Sequence, residues 1–261
     1  MSLEQDGRSL HRLVEIMRRL LAPDGCPWDR EQTLQTLRPY VIEEAHEVVD
    51  AIDSGKPEEL REELGDLLLQ IVFQAELARA RGWFGPDDVV SAICEKLVRR
   101  HPHVFGDETV SGVDEVLANW EVIKAKEKAG RGVLDGVPKA LPALLRAMRV
   151  GEKAARVGFD WPDADGARAK VTEELSELDV ALASGDRDQI EHELGDVLFA
   201  LVSVARKANL DPEAALRGTL DRFTDRVRGV EALAKERGQD VTDLGADALD
   251  RMWREVKLQK S

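Results

Sequence analysis

The sequence predicts an all-α protein made of two tandem, homologous helical-bundle modules. Helix-forming residues (Ala, Leu, Glu and Arg) dominate the 261 residues, and no clean run of alternating β-branched residues indicates a strand. Apolar side chains recur at helical spacing in both halves of the chain. A shift of 130 residues aligns positions 41–80 with 171–210, and about 15 of those 40 positions are identical. The prediction of two related modules rests on this internal repeat.

The repeat extends beyond this best-matched part and sets the predicted domain bounds. The sequence GCPWD at 25–29 corresponds to GFDWPD at 158–163, and WEVIK at 120–124 corresponds to WREVK at 253–257. We therefore predict module 1 at 1–128 and module 2 at 140–261. A Gly- and Pro-containing linker at 129–139 is expected to join them.

Helices are predicted in module 1 from successive apolar stripes. The first stripe covers 10–21 and ends at the breaker PDG. The second covers 37–52 and stops near SGKP, and the third covers 60–75 and ends near RGWFGP. Short connections favour antiparallel neighbours, so each module is expected to be a helical bundle.

Two further helices are predicted from their first residues. In module 1 a fourth helix is expected to be capped by Asp87 or Asp88. Its predicted buried face consists of Val89, Ile93 and Leu97. In module 2, Asp211 and Pro212 form a good helix start.

The overall charge restricts the classes of partner. The net charge is −14 and the isoelectric point is about 4.9, which argues against non-specific binding to nucleic acid or to an anionic membrane. An anionic small molecule stays possible, because a bound divalent cation reverses the local charge. The two cysteines form no CxxC pattern, no signal sequence is evident, and the apolar run LLLQIVF is too short for a bilayer. We therefore expect a cytoplasmic protein.

Acidic pairs on neighbouring predicted helices indicate a metal site in each module. Members of a pair three residues apart lie on one helix face, and the antiparallel partner helix brings a second pair towards them. Four converging carboxylates repel one another unless a cation such as Mg²⁺ or Mn²⁺ lies between them. The predicted metal ligands are Glu44, Glu47, Glu63 and Asp66 in module 1 and Glu174, Glu177, Glu193 and Asp196 in module 2.

A single acidic pair on a helix most often belongs to a solvated surface. The internal repeat is therefore needed to distinguish a metal site from such a surface. All four acids return in module 2, although neighbouring surface positions have changed. Glu59, Arg61 and Glu62 are replaced by Gln189, Glu191 and His192. Retention of the acids amid this change favours the metal site over the solvated surface.

A glycine lies between the acids of the second pair in both modules. Gly65 and Gly195 each follow the Glu-Leu of ELGD, where glycine costs a helix about 0.5–1 kcal/mol relative to alanine. Two explanations stay open: space for a ligand, and close packing of a neighbouring helix.

A di-iron carboxylate bundle is a competing metal site. It needs two Glu-x-x-His pairs, and Glu43 with His46 forms one. Module 2 has Ser176 at the histidine position, which disfavours di-iron.

Repeated cations beside tryptophan indicate a nucleotide. A tryptophan offers a stacking surface for a base, and neighbouring cations offer charge for phosphates. Each residue alone is better explained as a packed tryptophan or a solvated cation, but their duplication near the acids favours the nucleotide. The candidate substrate-binding residues are Arg222, Arg226, Trp253 and Lys257 in module 2 and Lys96, Arg100, Trp120 and Lys124 in module 1.

The motifs EEAHE…EELGD and EELSE…HELGD resemble the signature of the all-α nucleoside triphosphate pyrophosphohydrolases. Together with GCPWD, RRHPHVFGD, GFDW and MWREVK, they make nearly the whole chain similar to MazG proteins. The resemblance implies Mg²⁺-dependent hydrolysis of NTPs and dNTPs to monophosphate and pyrophosphate by a cytoplasmic homodimer. It also implies a house-cleaning or stress-linked role, with a possible toxin–antitoxin or stress-response partner.

The resemblance further implies roles for individual residues. The metal ligands and the substrate-binding residues of module 2 are those named above. As a hypothesis for the mechanism, Glu173 or Glu174 is the candidate general base, with Glu43 and Glu44 as their counterparts in module 1. In the family, module 2 is the better established catalyst. Two positions depart from the family: Arg222 stands where Lys is common, and Asp225 where relatives can carry Arg, which puts phosphate binding in doubt.

Two alternatives stay open at this point. The chain would be a non-catalytic acidic scaffold that binds a protein partner, or an enzyme in which only one module is catalytic. The four acids are present in both modules, so the sequence does not rank them.

Overall fold

A computed structural model of the chain describes residues 9–127, 130 and 132–259. These residues form helices, turns and loops and contain no strand, which confirms the predicted all-α class. The chain divides into two compact units, Met1–Ala129 and Gly130–Ser261. They contain module 1 and module 2, respectively. The bounds of the modules and of the linker, which lies partly outside the described residues, stay predictions.

Unit 1 is built around a long antiparallel helix pair. The stripes at 10–21 and 60–75 lie on helices as predicted, and so does the stripe at 37–52 except for Leu37, which precedes the helix Arg38–Ser54 as its N-cap. In chain order its helices are α1 Leu10–Leu21, α2 Pro27–Glu31, α3 Arg38–Ser54, α4 Pro57–Ala80, α5 Pro86–Arg100, α6 Pro102–Phe105 and α7 Val113–Glu127.

Unit 2 repeats this helix pair and adds a second one. Its helices are α8 Ala143–Ala155, α9 Ala164–Ser184, α10 Arg187–Lys207, α11 Pro212–Glu236 and α12 Ala246–Gln259, with a 3-10 turn at Val241–Asp243. Asp211 caps α11 as predicted, because its Oδ1 accepts hydrogen bonds from the backbone N–H groups of Glu213 and Ala214 at 2.8 and 3.1 Å.

Short turns make α3 with α4, and α9 with α10, antiparallel neighbours. Each first helix ends at a glycine with positive φ, +67° at Gly55 and +71° at Gly185, a conformation that glycine adopts without strain. Pro57 then begins α4, and Asp186 caps α10. These turns place the two acidic pairs of each module on facing helices.

Each unit has a small apolar cluster of its own. In unit 1, Met17 of α1 and Phe73 of α4 are almost fully buried, and Leu37 closes the cluster before α3. In unit 2, α11 packs on α12 through Val230, Ala234, Met252 and Val256.

Ion pairs support each unit at matching places in the repeat. Glu76 of α4 is 1% exposed and binds Arg18 at 3.0 Å and Arg79 at 2.6 Å. Its counterpart in module 2 is Arg206, which together with Lys207 binds Asp160 of the GFDW segment. The charge is reversed at this position, yet both pairs tie the second helix of the hairpin to another part of the unit.

The start and buried face of α5 differ from the prediction. The helix begins at Pro86 with Gly85 as its N-cap, so the predicted cap at Asp87 or Asp88 was wrong. Asp88 instead accepts a hydrogen bond from the Gly85 backbone N–H at 2.8 Å. The predicted buried face was also wrong at Ile93 and Leu97, which are 44% and 47% exposed because no described helix covers them.

Apolar side chains at matching positions of the two modules are left uncovered. On α4 they are Leu64, Leu68 and Ile71, and on α10 they are Leu194, Leu198 and Leu201. Each is between 39% and 49% exposed, and the i, i+4, i+7 spacing places each trio on one helix face. We call these trios the apolar stripes. Within the described residues, no helix has both the length and the apolar character needed to cross a membrane.

Candidate metal and nucleotide site

The acids of module 1 converge between α3 and α4. Glu44, Glu47 and Glu63 each offer an oxygen, and these atoms lie within 4.8 Å of one another. Asp66 lies outside this trio but near enough for its charge to raise the pKa of Glu44. The antiparallel hairpin therefore brings the four predicted ligands of module 1 into one acidic site.

The electrostatics of this site fit a cation. Loss of water raises the pKa of Glu44, and the charges of Asp66 and Glu47 raise it further. Glu63 behaves in the same way, with loss of water first and Glu47 next among the causes of its raised pKa. A bound divalent cation reduces the repulsion between neighbouring carboxylates, and their hard oxygens suit Mg²⁺ or Mn²⁺.

Module 2 forms the corresponding acidic site between α9 and α10. Glu174, Glu177 and Glu193 bring one oxygen each within 4.8 Å of the others. Loss of water raises the pKa of Glu177, and the charges of Glu174 and Glu193 raise it further. These three carboxylate donors are therefore the same as the three of module 1.

Asp196, the fourth predicted ligand of module 2, is engaged by a histidine. Its Oδ2 lies 3.1 Å from Nδ1 of His192, one turn earlier on α10. His192, Glu193 and Asp196 form a second group whose donor atoms lie within 4.8 Å. His192 was not among the predicted ligands, although HELGD in place of EELGD was a signal for it.

Lys170 is a second residue that sequence reasoning missed. Its Nζ lies 2.7 Å from a Glu173 oxygen and 2.8 Å from a Glu174 oxygen, and these hydrogen bonds raise its pKa. Tyr40 stands at this position in module 1, so the motif comparison concealed it. Both candidate bases of module 2 thus lie beside a cation, Glu174 buried and Glu173 with a 57% exposed side chain.

A buried glutamine lies under the acids of module 1. Gln70 of α4 is 7% exposed, and its amide hydrogen-bonds the Glu44 carboxylate. Its Oε1 is buried and has no hydrogen-bond partner among the described residues. The corresponding residue of module 2 is Ala200. The second candidate acid of module 1, Glu43, is exposed.

The glycines of ELGD point into open space. Among residues 9–127, 130 and 132–259, a Cβ built on Gly65 or Gly195 meets no atom within 4 Å, apart from its own chain neighbours and helix backbone. Close packing of a neighbouring helix of this chain therefore does not explain either glycine. The other explanation, space for a ligand, stays a prediction.

Two aromatic residues of module 2, Phe223 and Trp253, line an apolar groove, and Arg226 lies beside the Trp253 ring. The rings of Phe223 and Trp253 lie 5.3 Å apart, and the Arg226 guanidinium carbon lies 5.7 Å from the Trp253 ring centre. A groove of about 440 Å³ beside them is lined by Val227, Val230, Val241 and Leu249, with Glu231 and Asp250 at its edge. Arg222 donates a hydrogen bond to Thr219 at 2.9 Å. Lys257 follows Trp253 by one turn on α12.

In module 1 the corresponding cations are already paired. Lys124 Nζ lies 4.5 Å from the Trp120 ring centre, and Arg100 lies 5.4 Å from it. Glu127 accepts hydrogen bonds from Arg100 and, at 2.7 Å, from Arg99. These bonds, Arg100 first, lower the pKa of Glu127 to about 2. Lys96, by contrast, lies in a separate groove with Phe84 and Val89.

The structure therefore brings the predicted acids together within each helix hairpin. At the other helices, Trp120 contacts Arg100 and Lys124, and Trp253 contacts Arg226, while Lys96 lies apart from Trp120. In the described part of the chain, no ion pair joins Arg222 or Arg226 to the four acids of module 2.

Comparison with known proteins identifies the relatives of the chain. The family profile described as "MazG nucleotide pyrophosphohydrolase domain" matches residues 32–105 and 165–230. A protein of Escherichia coli (strain K12) named "Nucleoside triphosphate pyrophosphohydrolase" is 43% identical over 257 residues, covering 96% of this chain and 98% of the relative. A Thermotoga maritima protein named "Nucleoside triphosphate pyrophosphohydrolase/pyrophosphatase MazG" is 42% identical, covering 98% of both chains. A Mycolicibacterium smegmatis relative that shares the Escherichia coli protein's name is 37% identical, covering 92% of this chain and 65% of the relative.

Proposed function

The chain belongs to the MazG nucleotide pyrophosphohydrolase family, and from this membership we propose that it hydrolyses nucleoside triphosphates to monophosphates and pyrophosphate. Ribo- and deoxyribonucleotides are both substrates in this proposal, with broad base specificity. An apolar groove beside Trp253 supports the breadth, because stacking on an aromatic ring favours every base. The proposed location is the cytoplasm.

One observation carries the proposal: each module brings acids from two antiparallel helices into one site. Glu174, Glu177 and Glu193 would hold the cation in module 2, with Asp196 as the fourth ligand. The proposed cation is Mg²⁺, with Mn²⁺ as an alternative, because both prefer hard oxygen donors. When bound, such an ion supplies positive charge for the phosphates and lowers the pKa of a coordinated water.

Side chains of module 2 accept the proton and stabilise the phosphate charge in the proposed reaction. Glu173 or Glu174 accepts the proton of the attacking water, whose oxygen bonds to the α-phosphorus. The bond between that phosphorus and the oxygen bridging to the β-phosphate breaks, and pyrophosphate leaves. Arg222, Arg226 and Lys257 stabilise charge on the phosphates. Lys170 adds a cation at the edge of the acids, which Tyr40 does not supply in module 1.

Module 2 is the main catalyst in this proposal. Its Arg226 has no carboxylate partner in the described part of the chain and lies over Trp253. In module 1, Glu127 binds Arg99 and Arg100, and Arg100 is one of the two cations beside Trp120. Since a carboxylate and a phosphate compete for the same guanidinium donors, module 1 is expected to bind a triphosphate more weakly.

The proposed assembly is a homodimer. Each α3–α4 or α9–α10 hairpin leaves an apolar stripe uncovered, and a second hairpin would complete a four-helix bundle. A second copy of the chain supplies such a hairpin with a matching apolar face. The apolar stripes therefore support the dimer that the family resemblance implies.

Pyrophosphate release from a panel of NTPs and dNTPs tests the proposal. We expect release by the wild-type protein with Mg²⁺ and none with a chelator. Glu193→Gln should remove most of the activity, Glu63→Gln should remove little, and the double variant should be inactive. Asp87→Asn, an exposed acid outside both sites, is the control. No release from any nucleotide would refute the proposal and favour the non-catalytic scaffold.

A further inference from the structure

The metal sites of the two modules differ at one position directly beside the retained acids. Position 62 of module 1 is glutamate, and the corresponding position 192 of module 2 is histidine. Both residues precede the Glu-Leu-Gly-Asp segment, so they lie at the same place on α4 and α10. The difference changes the chemistry of the donor and leaves the helix geometry the same.

His192 is placed to act on the acids of module 2. Its Nδ1 lies 3.1 Å from Asp196 and 3.7 Å from Glu193, both proposed metal ligands. The three side chains form a second donor group beside the group of Glu174, Glu177 and Glu193. Glu193 belongs to both groups. The His192 side chain is 72% exposed, so it reaches a cation at this face without displacing the core.

In module 1 the donor group found among the described residues consists of carboxylates alone. Gln70 hydrogen-bonds one of them, Glu44, and the buried Gln70 Oε1 has no hydrogen-bond partner in the described part of the chain. An amide oxygen is another hard donor. Module 2 has the methyl group of Ala200 there. Two pairs of corresponding positions, 62/192 and 70/200, therefore both give module 1 an oxygen donor that module 2 lacks.

We propose that module 2 is a mixed nitrogen–oxygen metal site in which His192 is a ligand, whereas module 1 is an all-oxygen site. This rests on the proposed metal-dependent function. Imidazole nitrogen favours later first-row ions such as Co²⁺, Ni²⁺ and Zn²⁺, while carboxylate and amide oxygens suit Mg²⁺ and Mn²⁺. Module 2 therefore prefers Co²⁺ over Mg²⁺ more strongly than module 1 does.

Metal binding to the full-length chain tests this without hydrolysis. Glu47→Gln with Glu63→Gln leaves module 2 as the intact site, and Glu177→Gln with Glu193→Gln leaves module 1. Pulsed electron paramagnetic resonance of bound Mn²⁺ should show a ¹⁴N coupling in the first protein and none in the second. Calorimetry with Co²⁺ and Mg²⁺ should give a larger preference for Co²⁺ in the first.

Reciprocal variants isolate the histidine. His192→Glu should remove the ¹⁴N coupling and weaken Co²⁺ binding by at least about tenfold, the lower end of the effect of removing even an outer partner of a metal. Glu62→His should introduce the coupling into module 1. Both positions are exposed on helices, so neither change disturbs the core.

Three results would overturn the inference. Mn²⁺ bound in module 2 without a ¹⁴N coupling would show that His192 only hydrogen-bonds Asp196. Equal Co²⁺ preference in the two modules would remove the proposed difference in selectivity. Failure of both modules to bind any divalent ion would overturn this inference together with the metal requirement. Pyrophosphate release in the presence of a chelator would then show that the proposed hydrolysis holds and that the metal requirement is wrong.

Discussion

Alanine at Gly195 should stabilise the chain and impair its function. Apart from its chain neighbours and its own helix backbone, the Cβ of the variant would meet no atom of the described residues within 4 Å, so no steric cost opposes the change. Removal of glycine from the interior of α10 contributes about 0.5–1 kcal/mol to the free energy of unfolding. That gain corresponds to a rise in Tm of about 1–4 °C. Thermal and urea unfolding of the ligand-free protein, followed by circular dichroism, measure it.

Gly229 provides a matched control with the opposite sign. A Cβ there would lie 2.6 Å from Cγ1 of Val256, a residue that is 4% exposed in the contact between α11 and α12. Because Val256 has to shift, Gly229→Ala should lower the free energy of unfolding by about 1–3 kcal/mol. The same substitution thus separates a glycine kept for packing from a glycine kept for open space.

Measurements of KM and of dimerisation test whether a ligand or a second chain occupies the space at Gly195. If a nucleotide or a second copy of the chain occupies it, Gly195→Ala raises KM or weakens dimerisation while it stabilises the ligand-free protein. Lower stability of the ligand-free variant would refute the steric reasoning. Higher stability with unchanged kinetics and unchanged dimerisation would refute the idea that the open space is used.

Three further predictions test the site and the assembly. The pKa of Glu44 is raised above its ordinary value of 4.5 in the folded protein, so its ionisation opposes folding as the pH rises through that range. The rise in Tm caused by Mg²⁺ should therefore be larger at about pH 8 than at about pH 5, and an equal rise would contradict the electrostatics. Glu127→Gln should free Arg100 and, in a Glu193→Gln background, tighten nucleotide binding by about tenfold, measured by calorimetry; unchanged affinity would show that the pairing does not restrict module 1. Leu198→Glu should weaken the dimer by at least about tenfold in analytical ultracentrifugation, while Leu258→Glu, at an 80% exposed position, should not; a dimer unaffected by Leu198→Glu would show that the stripe is not the interface.

Helical periodicity predicted the long helices of unit 1, and together with the internal repeat it predicted the convergence of the acids. Spacing of three along a helix and a short turn between helices determine which side chains share a face, and both can be read from sequence. The predicted cap of α5 failed because Gly85 and Pro86 start the helix earlier, with Asp88 bonding backwards to Gly85.

Residues that act through one particular contact were not predictable in the same way. Lys170 and Gln70 lie outside the repeated motif, and only their distances to the acids reveal them. Ile93 was predicted to be buried because it lies on an apolar face. Periodicity shows that such a face exists and does not show what covers it, which is why Ile93 is 44% exposed in the protomer.

The apolar stripes have a consequence for genetics. If a second copy of the chain covers Leu198 and its neighbours, a cell that makes both wild-type and Glu193→Gln chains assembles mixed dimers. An inactive chain would then draw active chains into impaired assemblies, and its effect would be dominant. A chain that carries Leu198→Glu as well would be excluded from the mixed dimers, and the same loss of catalysis would become recessive.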